Sequence, residues 1–294
     1  MTQLLQTVVD GIALGSLYAL LALGVALVFG VMGLINFAHG ELLMIGAYAF
    51  FVFDGAPWPV AAGLAVAVVV LAAVLMERTA FRPLRRADPA TLLISSFAVA
   101  YFLQSLAQLI FGARAKPVSI TPLFDDSVQV LGLQIGWLDL VTVVVAVVLL
   151  GGLAAFLRRF AIGVQMRAAA EDFRMAQLLG VRGNRVIACA FAISGLFAGV
   201  AALLYLGQTG TVTPQIGLAP VLIAFVATVL GGMGTLVGSA VGGLSLGMLS
   251  VLLQAYLPEE LRPFRDAFVY TAVIAVLLIR PDGLLGSRGV PSRV

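Results

Sequence analysis

The sequence has little charge and almost none of the residues from which metal sites and disulfides are built. Only 11% of its 294 residues are charged, against about 25% in ordinary soluble domains, which excludes a typical water-soluble fold. One cysteine, Cys189, excludes an internal disulfide, and one histidine, His39, leaves no zinc-ligand cluster and no metal site to consider. The single lysine, Lys116, follows Ala115, so the chain lacks a Gly-Lys phosphate-binding loop for ATP.

What the sequence has instead is long apolar blocks. Hydrophobic residues make up 62% of the chain, and its mean hydropathy is +1.11. A helix needs about 20 apolar residues to span a bilayer, because unpaired backbone amides are not tolerated in lipid. The blocks predict one all-α membrane bundle over 1–294 with about nine spans, in a range of eight to ten: 4–30, 37–53, 59–76, 90–111, 138–157, 186–206, 216–230, 236–257 and 264–279.

Several of these blocks have features of their own. The second, seventh and ninth are short, so we expect each to be tilted, broken or re-entrant. The first is not preceded by a basic patch and shows no cleavage site, so we expect it to remain as a span.

The placement of basic residues predicts the orientation. The loops 77–88 and 158–185 and the C-terminal tail carry 13 of the 17 lysines and arginines, and the opposite side carries four. By the positive-inside rule the basic side is cytoplasmic, so the N-terminus faces the periplasm and the C-terminus the cytoplasm. The net charge of +3 therefore reflects membrane orientation, and we expect no nucleic-acid partner.

Two glycine-rich breaks interrupt the apolar blocks. Residues 28–33 and 229–234 share the spacing Val-apolar-Gly-x-Met-Gly. Glycines permit the backbone angles of a tight reversal, so each break is either a conformational hinge or a simple re-entry turn. The hinge candidates are Gly30, Gly33, Gly231, Gly232 and Gly234.

Asn36, His39 and Glu41 form a polar cluster in an otherwise apolar region. A charge at the bilayer centre costs about 2.5–3.5 kcal/mol on insertion scales, so such a group usually has a partner or a water-filled cavity. One hypothesis makes the cluster part of a translocation path or gate. The alternative places it at the membrane surface, where it is hydrated. Gln104 is a lone polar residue that we expect to bond a neighbouring helix.

The loop 158–185 is too long for a turn and too polar to insert. Residues 167–180 predict one short amphipathic helix that ends at Gly180. Such a helix lies either on lipid or in a groove of another protein, and its two carboxylates disfavour anionic lipid. The residues that we expect at a protein-docking surface are Arg167, Ala170, Glu171, Asp172, Phe173, Met175, Ala176, Leu179 and Gly180.

Residues 186–258 contain no Asp, Glu, Lys, Arg or His, and this bears on how transport is powered. A carrier driven by protons or sodium normally needs ionisable or discontinuous sites at mid-membrane, and this stretch offers few groups for them. A partner protein that holds the nucleotide explains both the lack of an ion-coupling site in this stretch and the missing phosphate-binding loop. A stand-alone ion-coupled carrier is the alternative. A membrane enzyme has little support, because no nucleophile–base or metal constellation is visible.

Six stretches carry a resemblance to a known family: Gly-Ser-Leu-Tyr-Ala-Leu at 15–20, Gly-Leu-Ile-Asn-Phe-Ala-His-Gly-Glu at 33–41, the arginine-rich 77–85, the helix and loop 167–181, Leu-Gly-Gly-Met-Gly at 230–234, and Arg-Pro-Asp-Gly at 280–283. With them the chain resembles, over nearly all its length, the LivH-type permeases of high-affinity branched-chain amino acid ABC importers.

The resemblance implies a transport complex and its subunits. The fold would be the helical one shared with ribose-type permeases, in a bacterial inner membrane, and the cargo leucine, isoleucine or valine. The partners would be a LivM-like second permease, a periplasmic amino-acid-binding protein and two ATPase subunits that hold ATP and Mg²⁺, and this chain would bind no cofactor. Residues 167–181 would be the coupling helix that contacts the ATPase. Similar permeases import urea or short amides, so the resemblance identifies the transport complex more closely than it identifies the cargo.

Overall fold

The computed structural model describes residues 2–85, 87–120, 127–130 and 133–285. Over these ranges the chain is an all-α bundle, as predicted. Its helices are α1 Thr2–Met32, α2 His39–Val52, α3 Trp58–Met76, α4 Pro89–Phe111, α5 Trp137–Arg159, α6 Ala161–Glu171, α7 Phe173–Leu178, α8 Gly183–Thr209, α9 Leu218–Gly231, α10 Leu236–Tyr256 and α11 Arg265–Ile279. Its strands form two antiparallel pairs, β1 Lys116–Pro117 with β4 Thr211–Val212, and β2 Ser127–Val130 with β3 Leu133–Gly136.

Six of these helices are long and apolar enough to cross a membrane: α1, α3, α4, α5, α8 and α10. The second and seventh predicted blocks form α2 and α9, with 14 residues each, and the ninth forms α11, with 15. All nine predicted blocks are therefore helical, and the number of complete spans depends on how these three short helices cross.

Helix α1 lies at the centre of the bundle and packs antiparallel against α10. Gly15 on α1 faces Gly247 on α10 so closely that a Cβ at Gly247 would overlap the Gly15 backbone. Gly243 touches the backbone of Ala19 one turn further along α1. Small residues of this kind let two helix backbones meet where lipid gives no hydrophobic drive for association.

The bundle has two distinct ends. Gln6 on α1 donates a hydrogen bond to the Gln134 carbonyl (2.7 Å), which places the start of α1 beside β3. We call this the strand end. At the opposite end the backbone N–H of Leu284 donates to the Leu230 carbonyl (2.8 Å), so the residues after α11 lie against the end of α9. We call this the arginine-rich end, because the described part of the chain has ten basic residues there against four at the strand end.

Helix α2 begins inside the bundle, about midway between the two ends. His39, its first residue, contacts Gly24 and Ser194. Gly24 lies eight residues before the end of α1 and Ser194 eleven residues past the start of α8, which corresponds to about 12 Å and 17 Å from the arginine-rich end at 1.5 Å per residue. The hydrocarbon core is about 30 Å thick, so His39 lies near its middle.

Helix α9 also begins at this depth, because its start crosses the start of α2. A Cβ at Gly217 would overlap the Gly40 carbonyl oxygen, and a Cβ at Gly40 would overlap that of Gly217. From this crossing α2 runs to the strand end, where Lys116 lies over the Phe51 ring, and α9 runs to the arginine-rich end. The two blocks are short because each helix crosses only about half of the membrane.

The two glycine-rich breaks differ in structure. The second is a tight α9–α10 hairpin in which Gly232 and Gly234 have φ angles of +110° and +93°, a region that favours glycine. The first is a longer excursion over residues 33–38, which carries the chain from the end of α1 back to the middle of the bundle. Gly30 lies within α1, which continues to Met32, so the prediction of a helix break at Gly30 is wrong.

The loop 158–185 contains two helices, so the prediction of one continuous helix over 167–180 is wrong. Asp172 separates α6 from α7 with an extended backbone, φ −148° and ψ +102°. Its Oδ1 accepts a hydrogen bond from the Met175 N–H (2.9 Å), which makes it the N-cap of α7. Asp88 caps α4 in the same way, and the hydrogen bond from Thr91 lowers the pKa of the Asp88 carboxyl.

The crossing of α2 and α9 predicts a sharp effect of one methyl group. Gly217→Ala places a Cβ in the Gly40 carbonyl, so the helices must separate, at a cost of about 1–3 kcal/mol for overpacking. We expect a lower melting temperature for the purified protein in detergent. Gly151→Ala on α5 is the matched control, since a Cβ there meets no atom within 4 Å. Equal melting temperatures for the two variants would contradict the crossing.

Candidate functional site

The predicted polar cluster is buried, which rules out the hydrated-surface interpretation. Asn36 is 3% exposed, and His39 and Glu41 are each 2% exposed. Residues two apart on a helix point to nearly opposite sides, so His39 and Glu41 face different neighbours. The structure therefore does not bring the three side chains together at one site.

Asn36 stabilises the turn that precedes α2. Its Oδ1 accepts a hydrogen bond from the Ala38 N–H (3.0 Å), and its carbonyl accepts from the His39 N–H (3.2 Å). Its Nδ2 faces the Met76 sulfur of α3 at 4.0 Å. These contacts satisfy backbone groups that would otherwise be unpaired inside the membrane.

His39 fastens α2 to α1 and α8. The Ser194 hydroxyl donates to the Gly24 carbonyl (2.8 Å), so its oxygen accepts from His39 Nδ1 at 3.2 Å. This assigns the ring proton to Nδ1 and leaves Nε2 as an acceptor with no partner among the described residues. The ring lies directly against Gly24, where a Cβ would come within 2.7 Å of it.

Glu41 faces α4. Gln104 Nε2 donates to Glu41 Oε1 (2.8 Å), as expected for a lone glutamine that bonds a neighbouring helix. Glu41 Oε2 is buried and has no partner within the described ranges 2–85, 87–120, 127–130 and 133–285. Glu41 is the only carboxylate of the predicted cluster, and it lies near mid-membrane with one oxygen that has no partner among the described residues.

An apolar groove begins about one helical turn beyond this pair, toward the strand end. It encloses about 320 Å³ between α2 and α4, with α3 as its floor. Its wall includes Met44, Ile45 and Tyr48 from α2 and Leu103, Ala107 and Phe111 from α4.

Its two walls meet at the strand end of the groove. The Tyr48 ring stacks on Phe111 with 4.2 Å between centroids, and the Tyr48 hydroxyl has no partner in the part of the chain described. Sequence reasoning missed the groove, although Ile45 and Ala107 follow Glu41 and Gln104 at helical spacing.

The α6–α7 segment, our name for residues 161–179, presents only part of the predicted docking surface. Met175, Leu178 and Leu179 are 54%, 75% and 80% exposed, which is unusual for large apolar side chains outside lipid. Phe173 is half-buried and Ala176 is 3% exposed, so these two face the bundle.

The other predicted docking residues surround this surface. Ala170, Glu171 and Asp172 are exposed, and Gly180 has a φ of +91° just after α7. Arg167 is exposed as well, and its Nε donates to the Leu157 carbonyl at 3.0 Å, which ties α6 to α5.

A chain of contacts joins α7 to the membrane helices. Phe173 and Gln177 lie against Gly183, the first residue of α8, where a Cβ would come within 2.9 Å of the Phe173 ring. The next residue, Asn184, accepts a hydrogen bond from Arg85, which also pairs with the buried Glu77 at the end of α3. These contacts connect α7 to α8 and, through Asn184 and Arg85, to the end of α3.

The chain is similar to proteins of one family over nearly its whole length. The family model described as branched-chain amino acid transport system, permease component, matches residues 7–279. The LivH permease of the high-affinity branched-chain amino acid transport system of Escherichia coli is 39% identical over 299 residues, 96% of this chain and 95% of that protein. The corresponding BraD permease of Pseudomonas aeruginosa is 36% identical, with the same coverage.

More distant similarity extends to another kind of import system. The autoinducer 2 import system permease protein LsrC of Yersinia enterocolitica is 31% identical over 169 residues, 55% of this chain and 43% of that protein. No solved structure matches the chain.

Proposed function

The chain belongs to the branched-chain amino acid transport permease family, and we propose that it is the membrane-spanning subunit of an ATP-driven importer for leucine, isoleucine or valine. The observation that carries the cargo class is the 36–39% identity, over 96% of the chain, to permeases named for this transport. The bundle is multi-pass, with six long apolar helices, which supports a place in the inner membrane.

The energy comes from partner subunits in this proposal. Two ATPase subunits bind ATP and Mg²⁺ and dock on the α6–α7 segment, where exposed Met175, Leu178 and Leu179 supply the apolar anchors that helix-in-groove interfaces use. A LivM-like second permease and a periplasmic amino-acid-binding protein complete the assembly.

The contact chain supplies a route from docking to the interior. Nucleotide binding on the partners displaces α7, and the contacts at Gly183 and Arg85 carry the displacement to α8 and α3. Ser194 on α8 is bonded to His39, so α2 moves with α8. The crossing of α2 with α9 then opens to one side of the membrane or to the other.

The orientation follows from the charge at the two ends. The arginine-rich end, with the α6–α7 segment, faces the cytoplasm, where positive loops are retained. The start of α1 and the four strands then face the periplasm, where a binding protein delivers the cargo.

Reconstitution tests the proposed function. In proteoliposomes with both permeases, the ATPase subunits and the binding protein, we expect leucine accumulation that requires ATP. This chain alone, under a proton or sodium gradient, is expected to accumulate none, because in this proposal the energy for import comes from ATP on the partner subunits. Gradient-driven uptake by the chain alone would support the stand-alone carrier, and uptake of urea, short amides or autoinducer 2 in place of leucine would change the cargo.

Charged substitutions test the docking surface. Leu178→Glu combined with Leu179→Glu places two carboxylates at the apolar anchors, and we expect at least a tenfold loss of ATPase subunits in a pull-down with tagged permease. The permease is expected to stay folded, since both side chains are exposed. Leu261→Glu, an exposed leucine at the strand end, is the control. Unchanged recovery of the ATPase in the double variant would reject this surface.

Cysteine labelling tests the orientation. In a Cys189→Ala background, Ser127→Cys at the strand end and Arg174→Cys on α7 are both exposed positions. We expect a membrane-impermeant maleimide to label the first in cells whose outer membrane is permeabilised, and the second only after lysis. The reverse pattern would invert the topology.

A further inference from the structure

We infer that the groove between α2 and α4, together with the buried Glu41 one helical turn beyond its inner end, is a cargo subsite that receives the α-ammonium group of a branched-chain amino acid on Glu41 Oε2 and its alkyl side chain against the apolar wall. This inference rests on the proposed importer function and adds to it the place and the chemistry of cargo contact.

The polar end of the groove fits a cation that donates hydrogen bonds. Glu41 Oε1 is engaged by Gln104, whereas Oε2 is buried and unpaired among the described residues. An ammonium group carries three N–H donors and a full positive charge, so it satisfies the free oxygen and compensates the buried carboxylate. A ligand that carries a carboxylate or phosphate but no cationic group would be repelled at the same place.

The apolar part of the groove fits a small branched alkyl chain. Ile45 and Tyr48 follow Glu41 on one face of α2, and Ala107 and Phe111 follow Gln104 on one face of α4. The groove therefore starts one helical turn beyond the polar pair. Its volume of about 320 Å³ is at the small end of the range for ligand pockets, which runs from about 300 to 1,000 Å³.

The polarity of the groove is opposite to that of a phospholipid in the same leaflet. Glu41 lies eleven residues before the end of α2 at the strand end, or about 17 Å deeper in the membrane at 1.5 Å per residue. A lipid would place its headgroup at the surface and its apolar tails deep. Here the polar group, Glu41, lies deep and the apolar groove lies toward the surface, as an amino acid with a buried ammonium group requires.

The structure shows the closed form of this subsite. Glu41 is 2% exposed, so cargo reaches it only when α2 and α4 separate. Helix α2 is held to α1 and α8 through His39, whereas only 22% of the membrane-spanning window of α4 is buried. Helix α4 is therefore less constrained by the rest of the chain than α2.

Transport by the complete assembly is the first test. For Glu41→Gln we expect the initial rate of leucine uptake to fall about tenfold or more, the effect of losing one charge-assisted hydrogen bond, while basal ATP hydrolysis shows that the assembly is intact. Glu260→Gln, an exposed carboxylate at the strand end, is the matched control and is expected to transport normally.

Binding to the purified permease is the second test. It separates the effect of the ammonium charge from that of the alkyl chain. 3-Methylbutylamine is leucine without its carboxylate, and 4-methylpentanoate is leucine without its ammonium group. We expect millimolar amine, but not the acid, to raise the melting temperature of the wild-type protein, and neither compound to raise that of Glu41→Gln.

Filling the groove is the third test. Ala107→Leu reduces the volume beside the alkyl chain, so we expect the KM for leucine uptake to rise more than the KM for valine. Val147→Leu, on the exposed face of α5, adds a methylene away from the groove and serves as the control.

The outcomes distinguish the subsite from the importer function. If the wild-type assembly accumulates no branched-chain amino acid, the proposed function fails. If it does, and Glu41→Gln transports at the wild-type rate, the subsite is wrong while the function stands. Equal stabilisation by the amine and the acid, or a bound lipid that the amine does not displace, would also overturn the subsite.

Discussion

The structure depends on one backbone contact, the crossing of Gly40 and Gly217 at the middle of the membrane. A helix that begins in hydrocarbon must satisfy its first backbone N–H groups within the protein. The turn at residues 36–38 does this for α2, and the Gln215 carbonyl accepts from the first N–H of α9. Two such starts lie side by side only if neither residue at the crossing has a side chain. The depth of His39 and of Glu41 follows from this contact.

The same contact is the point at which the proposed importer changes conformation. Helices α2 and α9 meet at their starts and run to opposite ends, so in the proposed mechanism a small rotation at the crossing opens one half of the bundle and closes the other. Each partner of the crossing is tied elsewhere: α2 to α8 through His39 and Ser194, and α9 to α1 through the Thr228 hydroxyl, which donates to the Ala22 carbonyl at 3.2 Å. The contacts at Gly183 and Arg85 bring α7 into this set. Packed cores of this kind move between discrete arrangements rather than deform continuously.

Hydropathy locates helices well but does not tell lipid from protein interior. The block 37–53 became α2 at His39–Val52, and the block 216–230 became α9 at Leu218–Gly231. That these helices start at mid-membrane depends on the Gly40–Gly217 contact, which joins residues 177 positions apart and leaves no local pattern. At Asp172 a local signal did exist, since aspartate is a typical N-cap residue at the start of a helix. The helix-forming residues on both sides of Asp172 concealed this signal. Which side Phe173 faces likewise depends on its contact with Gly183 of α8, which its own periodicity does not show.

The free-energy cost of burying Glu41 indicates that this residue does more than fill space in the bundle. A carboxylate at mid-membrane costs about 2.5–3.5 kcal/mol on insertion scales, and one hydrogen bond from Gln104 returns only part of this. A glutamine at this position would keep a hydrogen-bond acceptor without that electrostatic cost, so packing alone does not require a glutamate. A cationic group that arrives with the cargo recovers the cost when it is bound. Because Gln104 stabilises the carboxylate when the cargo is absent, the gain on binding is moderate, and a transporter must release what it binds.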